Sequence, residues 1–242
     1  ILIDNTATLT ITDGRFDINY GDSWNGTIVL NSDNSILNYD DLLDNGVIQA
    51  SKGQLNINKG KLSVIENGYI NSDVVLNLDK KSILSVAGGI VNIGENDVYD
   101  GVVRASSGTI SIDKHTINSD NFVVLNTDNN NVNVNLTNSI VSCVDKLNSN
   151  MNLGVLTADT TTKFAIDIDS VSGYSDTITV GAGSSGVVYI DTISGNILAN
   201  SGNTTIQILF ANDDSIQLGL DNTKITVVKD MLLDISNPNE NN

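Results

Sequence analysis

The chain has 242 residues, 40% of them hydrophobic, so it can form a core and is not expected to be disordered. Its formal net charge of −17, from 29 acidic against 12 basic residues, argues against nucleic acid or an anionic membrane as partner. A single cysteine, Cys143, rules out an intrachain disulfide, and a single histidine, His115, with that one cysteine disfavours a zinc site.

Short strand signals begin at once and continue to about residue 150. Leu9-Thr10-Ile11, Phe16-Asp17-Ile18, Thr27-Ile28-Val29-Leu30, Leu55-Asn56-Ile57, Leu62-Ser63-Val64, Val91-Asn92-Ile93 and Ile110-Ser111-Ile112 all alternate aliphatic and polar residues, the mark of half-buried strands. Asn25-Gly26, Asn45-Gly46, Asn67-Gly68 and Gly88-Gly89 punctuate them as turns. Two phrases recur. One is Val29-Leu30-Asn31, repeated as Val75-Leu76-Asn77 and Val124-Leu125-Asn126. The other runs from Gly46 to Ile57 and again from Gly101 to Ile112. Their starts are spaced by about 24 residues on average, a period that predicts an all-β parallel solenoid of that coil length. Stacking would place Val on Val, Leu on Leu and Asn on Asn about 4.8 Å apart. The Asn-Ser-Asp segments at 71–73 and 118–120 are candidates for amide ladders. Proline would interrupt such ladders, and the only one, Pro238, lies near the C-terminus.

The pattern breaks at residues 145–156, and longer strands follow: Lys163–Asp169, Asp176–Val180, Gly186–Ile190, Thr205–Phe210 and Lys224–Val228. We therefore expect a repetitive stalk over 1–150, a more aliphatic cap over 151–233 and a disordered tail over 234–242. Within the second part, Phe164-x-Ile166-Asp167-x-Asp169 is followed by Ser172-Gly173-Tyr174-Ser175-Asp176 and Thr177-Ile178-Thr179-Val180. The Gly-rich turn Gly181-Ala182-Gly183-Ser184-Ser185-Gly186 comes next. This order resembles the C-terminal part of type V autotransporter passenger domains of the pertactin and AIDA kind, over about residues 160–220. The resemblance implies a right-handed parallel β-helix, export to the bacterial cell surface or beyond, and a C-terminal segment that seeds folding. No membrane barrel or helical linker follows in this sequence, which departs from the family pattern.

Chemistry is sparse. Asp167 and Asp169, two apart on a strand, share one face and could act as a carboxylate pair on a polysaccharide, although a solvated polar face is the plainer reading. Asp40, Asp41, Asp44, Asp213 and Asp214 read as turn residues. His115 reads as a surface residue between coils, and Cys143, in an alternating segment, as a buried small hydrophobe. Gly183-Ser184-Ser185-Gly186 is a turn and not a nucleophile elbow. Asp33-Asn34 and 128–131 are the crowded oxygen donors that calcium would choose. Trp24 with Tyr20 forms either a carbohydrate-stacking spot or a cap on the first coil. No catalytic, cofactor-binding or metal residue is assigned, and no cofactor is expected. The leading expectation is a non-enzymatic, surface-displayed adhesin or stalk whose partner is a protein or glycan of a host or neighbouring cell, or a second copy of itself. The alternative is a polysaccharide lyase or hydrolase on a β-helix. It would need clustered Asp with Lys or Arg, and the two arginines, Arg15 and Arg104, neighbour no acidic cluster in sequence.

Overall fold

The computed structural model describes residues 2–3, 6–19, 22–40, 46–125, 131–144, 149–169 and 174–194. It also describes strand segments at Thr204–Thr205, Leu209–Phe210, Ile216–Leu220 and Leu233–Asp234. The tail expected at 234–242 lies, from residue 235 onward, outside the described residues. Every regular element among the described residues is a β-strand, and almost all pairings are parallel. The chain divides into two compact units. The first is made of 1–113, 120–126 and 131–133; the second of 114–119, 127–130 and 134–242.

The first unit is a parallel β-solenoid with three strand faces. On one face Thr8–Ile11 pairs with the start of Thr27–Asp40, which pairs in turn with Val47–Ile57, Tyr69–Ile70 and the end of Ser82–Ile93. On the second, Gly14–Asn19 begins a stack that continues through Leu37, Leu55 and Leu76 to Val98–Tyr99. On the third, Gly60–Ile65, Ser82–Ile93, Val102–Asp113 and Phe122–Val124 lie side by side. Alternation turns one side of every strand inward. Leu37, Leu55 and Leu76 form one buried aliphatic column, and Leu62, Leu84, Val103 and Phe122 form another. Each buried side chain therefore packs on its counterparts one coil up and one coil down, which makes stability a sum of neighbour terms. Hydrogen-bonded residues on successive coils are 18 to 22 positions apart here.

The two recurring phrases are real but do not mark coils. Val29-Leu30 lies on the first face, over Gln49-Ala50, whereas Val75-Leu76 lies on the second, over Gln54-Leu55. What the second phrase repeats is a strand, a bend and a strand. The strands Thr27–Asp40, Val47–Ile57, Ser82–Ile93 and Val102–Asp113 are 11 to 14 residues long because each runs around a corner from one face to the next. Register slips mark the corners, as between Leu30 and Asn31 or Val86 and Ala87. Three of these bends use a glycine in the left-handed region: Gly53 (φ 101°), Gly88 (φ 101°) and Gly108 (φ 103°). Gly88-Gly89, expected as a turn, is thus a bend inside a continuous strand.

The second unit is also built from parallel strands. Thr116–Asn118, Ile140–Ser142, Lys163–Asp169, Ser185–Ser194 and Ile216–Leu220 stack in that order. Asn150–Asn152, Thr177–Thr179 and Leu209–Phe210 form a second stack. Bonded residues on successive coils lie 21 to 29 positions apart, so these coils are longer. One antiparallel pairing, Ile168↔Ser175 and Asp169↔Tyr174, folds Lys163–Asp169 back on Tyr174–Ser175.

Candidate functional site

The first polar construction is a ladder on the second face of the first unit. Asn38 Nδ2 donates to Asp17 Oδ1 (2.5 Å), Asn56 Nδ2 to Asn38 Oδ1 (2.6 Å) and Asn77 Nδ2 to Asn56 Oδ1 (2.6 Å). Gln54 Nε2 also donates to Asn56 Oδ1 at 2.9 Å. An ionised carboxylate only accepts, so Asp17 at one end fixes which way every amide points. Arg15 Nε donates to the same Asp17 oxygen at 2.7 Å, and the Arg15 and Asn38 hydrogen bonds hold the Asp17 carboxyl below its ordinary range. Neither Asn-Ser-Asp segment supplies this ladder; it comes from Leu-Asn pairs whose leucines are core. Asn56→Ala breaks one donor bond and two acceptor bonds of half-buried groups. A loss of about 2 kcal/mol in unfolding free energy is expected, measured by urea denaturation.

A second construction recurs at corners in both units: an aspartate whose carboxylate takes one local backbone N–H and one from the preceding coil. Asp97 accepts from Gly94 N (2.7 Å) and Leu76 N (2.8 Å). Asp159 accepts from Thr162 N (2.8 Å), from the hydroxyls of Thr161 (2.6 Å) and Thr162 (2.7 Å), and from Asn138 N (3.2 Å). Partial burial works against the Asp159 charge, but donors from Thr161, Thr162 and Asn138 outweigh it and lower the carboxyl to about 2. Asp176 accepts from Asp167 N (2.7 Å) and Ser149 N (2.9 Å). Ser184 does similar work with a hydroxyl: Oγ donates to Gly181 O (2.6 Å) and accepts from Leu156 N (2.9 Å). Ser184 closes a turn on Gly181, while Ser185 and Gly186, read as part of that turn, already belong to the strand Ser185–Ser194.

Asp176 differs from the other two because it lies against a second acid. Asp167 and Asp176 are both buried, at 1% and 0% exposure, and the Asp176 carboxylate reaches the backbone of Asp167. Asp176 N also donates to Asp167 O at 3.0 Å. Desolvation, with the Asp167 charge adding to it, pushes Asp176 up to about 7, against the pull of its two N–H donors. The sequence singles out Asp167 but pairs it with Asp169, whose side chain lies outside the described residues. Period-two alternation sees only neighbours on one strand, whereas Asp176 arrives through the antiparallel return. The one sequence signal for Asp176 was its place in Ser175-Asp176-Thr177-Ile178.

Trp24 is not a stacking platform. It is buried, its Nε1 donates to Gly26 O (2.9 Å), and its ring meets Tyr39 edge-on at 6.2 Å. Tyr20, Asp41, Asp44, Asp213, Asp214 and 128–130 lie outside the described residues. His115 is half-buried between strands, and its carbonyl accepts from Ile140 N. Cys143 is buried, with its sulfur 3.9 Å from that of Met151. Asp33 is exposed and pairs with Lys52 at 3.8 Å. Arg15 lies beside Asp17, and Arg104 is exposed on the third face, in register with Ser85 and Val123. Among the described residues no group of three or more His, Cys, Asp or Glu could hold a metal ion, and no helix is long and apolar enough to cross a membrane.

The most continuous outward feature is a row on the first face of the first unit. Thr10, Val29, Gln49, Tyr69, Ile90 and Thr109 are in direct register on six consecutive coils. At strand spacing the row spans about 24 Å. None of its members is buried, and Ile90 is 50% exposed. Comparison of the chain with protein-family profiles, with curated proteins and with solved structures finds no match.

Proposed function

We propose that this chain is a non-catalytic structural and adhesive module, secreted or displayed on a bacterial surface in the manner of an autotransporter passenger. The observation that supports the reading best is the outward row from Thr10 to Thr109. It offers aliphatic, aromatic and hydroxyl groups at regular spacing on a sheet whose backbone is already paired. Such a surface suits an extended partner that repeats at similar intervals, a glycan chain or another β-face, better than a small substrate. Net charge of −17 directs the choice away from polyanions. Export and cell-surface location rest on the resemblance carried by Phe164–Gly186. The enzyme alternative draws less support: the described carboxyl pair, Asp167 with Asp176, is buried, and Asp176 is already engaged by two backbone N–H groups.

The test is binding of the purified chain to cells, to matrix proteins and glycans, and to itself. The row predicts that Ile90→Arg and Tyr69→Ala each weaken that binding about tenfold or more, roughly 1.4 kcal/mol, with the fold intact by circular dichroism. Binding that both variants leave unchanged moves the contact off this face. A chain that binds nothing in these assays is a spacer and not an adhesin, and turnover of a polysaccharide overturns the reading altogether.

A further inference from the structure

The polar ladder, the corner aspartates and the outward row are all accounted for by stacking or by the proposed attachment. One group is not. Asp167 and Asp176 bring two carboxyls together inside the second unit, where a single acceptor would have sufficed to satisfy the N–H groups of Ser149 and Asp167. We propose that this pair is a proton-dependent latch, holding one proton between its carboxyls when closed, so that the second unit tightens as the medium turns mildly acidic.

Two side chains exposed by 1% and 0%, on residues tied by Asp167 N–H to Asp176 Oδ2 (2.7 Å) and Asp176 N–H to Asp167 O (3.0 Å), cannot both carry full charge without like-charge repulsion in a site that water does not screen. A hydrogen bond between two carboxyls also needs a hydrogen, which neither carboxylate supplies when both are ionised. With one proton bound, one carboxyl donates to the other, while Asp176 still accepts from Ser149 N at 2.9 Å and Asp167 N at 2.7 Å. When that proton leaves to water, the charges face each other across the antiparallel pairing of Lys163–Asp169 with Tyr174–Ser175.

The charged groups among the described residues do not relieve this. On Lys163–Asp169, Lys163 pairs with Asp191 of the neighbouring strand Ser185–Ser194 at 3.8 Å, four residues before Asp167. The in-register neighbour of Asp167 on that strand is Ser194. Ile140–Ser142, Asn150–Asn152 and Thr177–Thr179 carry no ionisable side chain, and Cys143 is engaged with Met151. Among the described residues, the only charge acting on Asp176 is that of Asp167.

The direction with pH follows. The folded value of Asp176, about 7, lies above its ordinary 3.8. Folding therefore takes up a proton between those limits. The stabilisation is complete below about 3.8, shrinks as pH rises, and is lost above about 7. Asp159 runs the opposite way but only in stronger acid, since its carboxyl is lowered to about 2 and its contribution disappears as pH falls towards that value.

The experiment is urea denaturation of the full chain at intervals from about pH 8 to about pH 5, for the wild type and for Asp167→Asn. The asparagine amide supplies a permanent hydrogen to Asp176. The second-unit transition of the wild type is expected to move to higher urea as pH falls, whereas that of Asp167→Asn stays level. If the two proteins show the same pH dependence, the latch is wrong. Carbon NMR of the wild-type carboxyls tests the same point without a variant. One resonance of the pair is expected to titrate near neutrality, and the proposal is overturned if both titrate below about pH 5.

Discussion

Gly108→Ala is expected to lower the stability of the first unit by about 3 kcal/mol or more. Two costs add. The residue sits at φ 103°, which a side chain rarely adopts, and a Cβ there would lie 2.4 Å from the carbonyl oxygen of Gly89 on the preceding coil. That oxygen belongs to backbone held in a parallel pairing, so it cannot swing away as a flexible side chain would. Relief requires the corner itself to open, and the corner carries the chain from the third face to the first. Gly94→Ala is the matched control. Its nearest non-local atom to a new Cβ is a carboxylate oxygen of Asp97 at 4.0 Å, an ordinary contact. The control should change stability by less than about 1 kcal/mol. Urea midpoints of the two variants, read by circular dichroism, decide the matter.

Asp176→Ala is expected to cost about 3–4 kcal/mol, seen as early loss of the second-unit transition in the same assay. The substitution strands the part-buried N–H of Ser149 and the buried N–H of Asp167. It also removes a tie between residues 27 positions apart, one coil to the next. Asp176→Asn keeps the shape but has a single acceptor oxygen for two donors, so it should fall between wild type and alanine. The contrast with Asn56→Ala is instructive. That amide is only half-buried, and solvent can take over part of its hydrogen bonding. The buried N–H of Asp167 has no such substitute.

Much of the architecture was legible. Alternation located nearly every strand of the first unit because each has one face in the core and one outside, the condition under which period two is imposed on sequence. The coil length was read less well, at about 24 residues against 18 to 22 between bonded partners in the first unit. The cause is visible in Gly46–Ile57 and Gly101–Ile112. Their likeness reflects a common bend, with Gly53 and Gly108 at the same φ, and a coil has more than one corner at which that bend can be used. The ladder was anticipated in kind but placed at 71–73 and 118–120. Composition attracts attention to Asn-rich turns, whereas a ladder needs in-register positions on strands, and single asparagines between core residues satisfy that quietly. Asp97, Asp159 and Asp176 were hidden for a related reason. Their second hydrogen-bond donor comes from another coil, and nothing in the local text announces it.

The direction of the amide ladder sets a rule for insertions and deletions in the gene. Removing residues 57–77 would join Asn56 to Leu78, and Asn56 already makes the bond to Asn38 that begins the next rung. Donor would still follow acceptor back to Asp17, and Leu78 would take the place of Ile57 over Tyr39. A cut one residue longer or shorter would turn the following strand over and present its core residues to water. Within a strand, length change is therefore tied to whole coils, whereas the corners absorb the differences between coils of 18 and 21 positions.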